Sequence, residues 1–206
     1  MTPFSDIHHK SETPVTLAIL AGGKASRLGG VSKAFIEING QPLIRRVYDS
    51  LAGLFSEVIV IYNDSVRLSV EAKVYSDIYK ETGPLGGIHS ALKHATFRDV
   101  FIVSVDMPFA SMYIANQIVS RRSKNPESDI FVSKVGKYAE PLFGIYSKSI
   151  ISQVEDILNG EGKFSVSRLL EMCSTCFLEL PLSNEVEKAF FNINTYEDLM
   201  RLKVGL

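Results

Sequence analysis

The sequence predicts an α/β domain built on a mostly parallel sheet. Three observations predict it. Short runs of β-branched and apolar residues, each closed by glycine or polar residues, read as buried strands. These runs alternate with stretches of helical spacing through about residue 120, the pattern of βαβ units. Gly22, Asn63, Asp77 and Asp106 each follow closely on such a run. Sequence order thus lines four glycine or polar positions along the carboxyl rim, where open parallel sheets bind ligands.

Taken in order, Val15 to Ala21 reads as the first buried strand. Pro42 opens a helix whose apolar positions Leu43, Ile44, Val47, Leu51 and Leu54 fall on one face. Val58 to Tyr62 is the second strand and Lys73 to Tyr75 a short third one. Gly83-Pro84-Leu85-Gly86-Gly87 reads as a turn-rich loop, with a helix from Ile88 to His94. Val100 to Val105 is a strand closed by Asp106-Met107-Pro108, and Ser111 to Arg122 is helical. Ile130 to Val135 and Leu142 to Tyr146 read as strands joined through Gly136-Lys137-Tyr138. Ile150 to Leu158 and Val166 to Met172 read as helices, Cys176 to Leu180 as a strand and Thr195 to Leu202 as the last helix.

The 206 residues suit one large domain, expected over 15–206, behind a loose polar arm over 1–14. A net charge of −1 argues against a dedicated nucleic-acid binder. No apolar run approaches the roughly 20 residues of a membrane helix. The two cysteines, Cys173 and Cys176, make no disulfide framework and fit a reducing cytoplasm. Their C-x-x-C lacks the second ligand pair that zinc needs, and it lies at a helix end rather than a helix start, so it reads as structural. His89 and His94 are wrongly spaced for two ligands on one helix face. Arg121, Arg122 and Lys124 read as a solvated helix end.

The loop after the first strand carries the chemistry. Gly22, Gly23, Gly29 and Gly30 let backbone amides approach an anion, and Lys24, Arg27 and Lys33 add positive charge. The loop is neither a Walker A loop, since Leu28 stands where the second glycine is needed, nor a dinucleotide loop, since no Gly-x-Gly occurs. Asp106, at a strand end, is placed either to hold Mg²⁺ against phosphates or to cap a turn.

The spacing Leu20-Ala21-Gly22-Gly23, Arg27-Leu28-Gly29, Lys33 resembles the sugar-phosphate and cofactor nucleotidyltransferases. Gly40-Gln41-Pro42-Leu43, Gly83-Pro84-Leu85-Gly86-Gly87-Ile88, Asp106-Met107-Pro108-Phe109, Glu140-Pro141-Leu142-Phe143 and Asn192-Ile193-Asn194 follow in the same order. Together they resemble the molybdenum cofactor guanylyltransferases over roughly residues 15–202.

That resemblance implies a three-layer α/β/α, Rossmann-like nucleotidyltransferase fold, with a GTP half near 15–110 and an acceptor half near 111–206. It implies transfer of GMP from GTP to the phosphate of molybdopterin, with Mg²⁺ as cofactor. Arg27, Lys33 and Asp106 would be catalytic and Asp106 the metal ligand. Leu20, Ala21, Gly22, Gly23, Lys33, Asn63, Asp77 and Asp106 would bind GTP, with Asp77 on the guanine edge. Glu140, Pro141, Asn192 and Asn194 would line the acceptor half, while Asn192 and Asn194 also suit a helix cap. Lys163 and Arg168 would add charge there. Docking to molybdenum insertase, a helper GTPase or apo-molybdoenzymes is compatible with this reading. Cytidylyl transfer to the same cofactor, nucleotidyl transfer to a related cofactor or sugar phosphate, and a catalytically silent nucleotide-binding module are the alternatives.

Overall fold

The computed structural model describes residues 14–22 and 32–204. Gly23, Lys24, Arg27, Gly29, Gly30 and the arm before Pro14 lie outside the described residues.

Strand β1 (Val15–Leu20) is buried along its whole length because both of its faces are covered. A tight turn at Lys33–Phe35 and a two-rung hairpin of β2 (Glu37–Ile38) and β3 (Gln41–Pro42) lead into α1 (Leu43–Leu51). The hairpin turns at Asn39-Gly40, both left-handed, as such a short loop requires. There follow β4 (Glu57–Ile61), β5 (Lys73–Tyr75), α2 (Pro84–His94), β6 (Asp99–Ser104) and α3 (Met112–Lys124). A hairpin of β7 (Ile130–Val135) and β8 (Tyr138–Ser147) comes next, then α4 (Ile151–Asn159), α5 (Val166–Met172), β9 (Thr175–Leu180), α6 (Asn184–Ala189) and α7 (Tyr196–Val204).

Seven strands form one sheet in the order β5-β4-β1-β6-β8-β7-β9. Only β8 runs against its neighbours, so the sheet is mixed but mostly parallel. Side-chain alternation divides the core in two. Val15, Leu17 and Ile19 point to the layer holding α1, α3 and α6; Ala18 and Leu20 point to the layer holding α2, α4 and α5. The result is the three-layer α/β/α arrangement.

Four local readings need correction. Helix α2 starts at Pro84, not Ile88. Gly83, at φ +65°, makes the entry turn, and Pro84 sits in the first turn, where its missing N–H is harmless. Gly86 is required inside the helix by close packing, because a Cβ there would lie 2.1 Å from Thr82 Oγ1 and 2.7 Å from the Tyr79 carbonyl. Strand β8 starts at Tyr138, so the hairpin turns on Gly136-Lys137 alone. Helix α6 lies where the sequence predicts no element: it is six residues long, buries only Val186 and Ala189, and is started by the Ser183 hydroxyl accepting from the Val186 amide. Arg122 is not solvated. It is 5% exposed, and its Nε and Nη2 donate to the two carboxylate oxygens of buried Asp99 at 2.9 and 3.1 Å.

Candidate active site at the carboxyl rim

The parallel strands stop in step, and single bonds carry the ladder just past their ends. The Ala21 amide donates to the Ile61 carbonyl at 2.9 Å, Tyr62 to Tyr75 at 2.8 Å and Val105 to Leu20 at 3.0 Å. This stagger sets Gly22, Asn63, Asp77 and Asp106 side by side, although up to 84 residues of chain separate them (106 − 22).

Two clusters form on that rim. In the first, Asn63 Nδ2 donates to Asp77 Oδ2 at 2.7 Å and the Asp77 amide donates to Asn63 Oδ1 at 2.8 Å. This reciprocal pair fixes the Asp77 carboxylate. Its Oδ1 is buried and has no hydrogen-bond partner among the described residues. A Cβ on Gly22 would lie 3.6 Å from Asn63 Nδ2 and 3.7 Å from Asp77 Oδ2, so the glycine keeps open a slot directly over the pair. Just before the glycine, Leu20 packs on Gly87 of α2, and Ala21 is fully buried.

In the second cluster, Lys33 Nζ donates to Asp106 Oδ2 at 2.6 Å and to Asn194 Oδ1 at 2.8 Å. An ammonium has three donors, so one is left for a ligand. Asp106 Oδ1 is buried without a hydrogen-bond partner among the described residues. The Asp106 carbonyl accepts from the Ile193 amide at 3.0 Å, which draws the 192–194 segment onto the rim. Asp198 braces that segment by accepting from the Asn194 and Thr195 amides at 2.9 and 2.8 Å, bonds that hold its carboxyl below the usual range. Thr195-x-x-Asp198 is a capping signature that could have revealed this brace in the sequence.

Asn192 does not join the cluster through its amide, which turns back to the Phe190 carbonyl at 2.9 Å. Nor does either asparagine side chain cap α7: the Thr195 hydroxyl does so, accepting from the Asp198 amide. Glu140 and Pro141 lie on β8 at the same rim, beyond Asp106. The Pro141 carbonyl accepts from the Tyr146 hydroxyl at 2.6 Å. Glu140 is half-buried, and burial pushes its carboxyl above the usual range. Lys163 and Arg168 are exposed on the connection before α5 and in its first turn. Cys173 and Cys176 pack into the cores on opposite faces of the sheet, so the C-x-x-C offers no paired site.

The donor set fits Mg²⁺ held mainly by a substrate. A buried, unpartnered carboxylate oxygen beside a lysine suits a hard cation that takes one or two carboxylates and completes its shell with phosphate and water. No group of three or more acidic, histidine or cysteine side chains able to hold a metal alone occurs among the described residues.

A family profile described as a MobA-like NTP transferase domain matches residues 17–175. The chain belongs to this family. The molybdenum cofactor guanylyltransferase of Vibrio cholerae is 35% identical over 185 residues, spanning 88% of this chain and 87% of that one. A probable molybdenum cofactor guanylyltransferase of Pelotomaculum thermopropionicum is 33% identical, over 92% of each chain. The crystal structure of molybdopterin-guanine dinucleotide biosynthesis protein A from Archaeoglobus fulgidus superposes with a TM-score of 0.76 at 26% identity, covering 92% of this chain and 97% of that one. The chain is thus a nucleotidyltransferase of the MobA-like kind, and both rim clusters rest on strands inside the matched span. Asn194 and its brace lie beyond that span. No helix among the described residues is long and apolar enough to cross a membrane.

Proposed function

We propose that the protein transfers GMP from GTP to the terminal phosphate of molybdopterin, releasing pyrophosphate. The observation that carries this reading is the Lys33–Asp106–Asn194 cluster, with its spare ammonium donor and its buried, unpartnered carboxylate oxygen. It stands beyond the carboxyl ends of the parallel strands, where open parallel sheets bind ligands.

GTP would lie across the rim with guanine over the Asn63–Asp77 pair. Guanine offers two donors, N1–H and the 2-amino group, and a carboxylate takes both, one on each oxygen. The free Oδ1 of Asp77 and the second lone pair of Oδ2 supply those acceptors. Gly22 leaves room for the base, and Lys33, with Arg27 from the loop, balances the phosphate charge. An acceptor phosphate oxygen attacks the α-phosphorus in line; its new P–O bond forms as the bond to the β-phosphate breaks, and pyrophosphate leaves. The protein's share is positioning and charge stabilisation. Bound Mg²⁺ on Asp106 would neutralise phosphate charge and orient the leaving group. We assign the activity to the cytoplasm, since a chain with only two cysteines does not depend on a disulfide framework.

The test is pyrophosphate release from GTP, Mg²⁺ and molybdopterin, with the guanine dinucleotide product identified by mass. Turnover with CTP in preference to GTP, or none with either nucleotide, would overturn the proposal.

A further inference from the structure

The hairpin of β7 and β8 carries two polar side chains without partners, set side by side. Ser133 is fully buried, and its hydroxyl has no hydrogen-bond partner among the described residues. Directly across the ladder stands Glu140, which is half-buried, has no hydrogen bond or ion pair among the described residues, and feels burial alone. Leaving the buried Ser133 hydroxyl unsatisfied is unfavourable unless something else meets it, whereas the half-buried Glu140 carboxylate still reaches solvent.

The ladder explains how Glu140 comes to stand over the buried Ser133. Val132 pairs with Gly144, yet the next residue, Ser133, pairs with Glu140, so Pro141, Leu142 and Phe143 bulge out of the β7 pairing. Strand β6 ends at Ser104 and its last pair with β8 is Val103–Phe143, so the outer part of β8, with Glu140, extends past it at the rim.

Position also fits the acceptor. Val103 of β6 pairs with Phe143. Asp106 and Glu140 both lie past this rung, beyond the carboxyl end of β6. Ser133 shares a face with Phe131 by strand alternation, and Phe131 packs in the α1–α3–α6 layer. Cross-strand partners share that face too. The 190–194 segment crosses it, with the Phe190 ring on Phe143 at 5.5 Å.

We propose that Glu140, seated against Ser133, is the residue that reads the pterin ring of the acceptor. A pterin presents a ring N–H beside its 2-amino group, the same pair of donors that guanine offers to Asp77. On this inference, which rests on the function proposed above, the cleft holds one carboxylate at each end, one for the base of the donor and one for the ring of the acceptor. The buried Ser133 hydroxyl is a positioning group. It donates to the Glu140 carboxylate when the ring draws that side chain inward, and so acts through Glu140.

The test uses two competitive inhibitors of pyrophosphate release from GTP and molybdopterin: 6-hydroxymethylpterin monophosphate and the matching lumazine phosphate, which carries oxygen in place of the 2-amino group. Wild-type protein should prefer the pterin at least tenfold, because a carboxylate repels the lumazine carbonyl. Glu140→Gln, whose amide can donate to that carbonyl, should erase the preference while leaving the KM for GTP within twofold. Ser133→Ala removes an unsatisfied buried hydroxyl and so should not unfold the protein; it should lower the preference at least twofold, and it decides the matter if Glu140→Gln fails to fold. A wild type that turns over molybdopterin without preferring the pterin, or folded variants that keep the wild-type ratio, would overturn the role of Glu140 alone. A wild type that releases no pyrophosphate with molybdopterin would overturn the function as well.

Discussion

Lys33 Nζ lies 2.6 Å from Asp106 Oδ2, an ion pair spanning 73 residues of sequence and only partly open to solvent. The pair sets Lys33 against the end of β6 before any nucleotide arrives. Each partner therefore has two tasks: to hold the other and to meet the triphosphate. Groups that act as a unit give non-additive losses. Asp106→Ala and Lys33→Ala should each lower the rate of GMP transfer by about 10²–10³, the range seen when a preorganised charge-stabilising group is removed. The double variant should be little worse than either single one. Pyrophosphate release measures the rates, and circular dichroism should show the fold retained. A double variant whose loss equals the product of the two single losses would show that the pair does not act as a unit.

The Asn63–Asp77 pair yields a prediction about choice of base. A hydrogen bond to a charged acceptor contributes about 1.5–3 kcal/mol, or roughly 10–100-fold in affinity. Asp77→Ala should weaken GTP by that factor while changing ATP and CTP by much less, because neither presents guanine's pair of donors. Competition of the three nucleotides against a fluorescent GTP analogue measures the change. Equal weakening of all three would remove Asp77 from base recognition.

Stability should depend most sharply on a pair that the sequence concealed. Arg122 and Asp99 form a two-pronged bond in the interior, and the guanidinium also lies 5.5 Å from the centre of the Phe131 ring. Removing one partner strands a buried charge, at a cost of about 3–5 kcal/mol. Arg122→Ala should lower the urea midpoint accordingly, and replacing both residues with apolar ones of similar size should restore much of the loss. A change below about 1 kcal/mol in the single variant would mean that water reaches Asp99 freely.

What could be read from the sequence divides along a physical line. Strands β1, β4 and β6 are covered on both faces, so their apolar runs are continuous and their ends, with Asn63 and Asp106, can be placed from order alone. Arg122 could not be read this way. Three basic residues near a helix end look alike until Asp99, 23 residues earlier, is folded beneath one of them. Gly86 misleads for a related reason: its glycine serves a close approach to Thr82 and Tyr79, a tertiary demand that mimics turn chemistry. Asp77 and Asn63 were each visible, but their reciprocal bonds were not, since pairing depends on the register of β5 against β4.

The same limit applies to Cys173, where spacing suggested a motif and packing defines the chemistry. Burial, with a smaller effect from Asp129, pushes the Cys173 thiol up to about 11. Only the thiolate is nucleophilic, so the residue should be nearly inert at neutral pH. In a Cys176→Ser variant, alkylation of Cys173 by iodoacetamide should accelerate about tenfold per pH unit from 7.5 to 9.5 without a plateau. A plateau near 8.5, the value of an ordinary thiol, would refute the shift. The sign for stability follows from linkage. Because the folded form holds the proton more tightly than the unfolded chain, the contribution is fully present below about 8.5 and declines as pH rises towards 11. Cys173→Ser should therefore flatten the alkaline loss of stability, read as urea midpoints across that window.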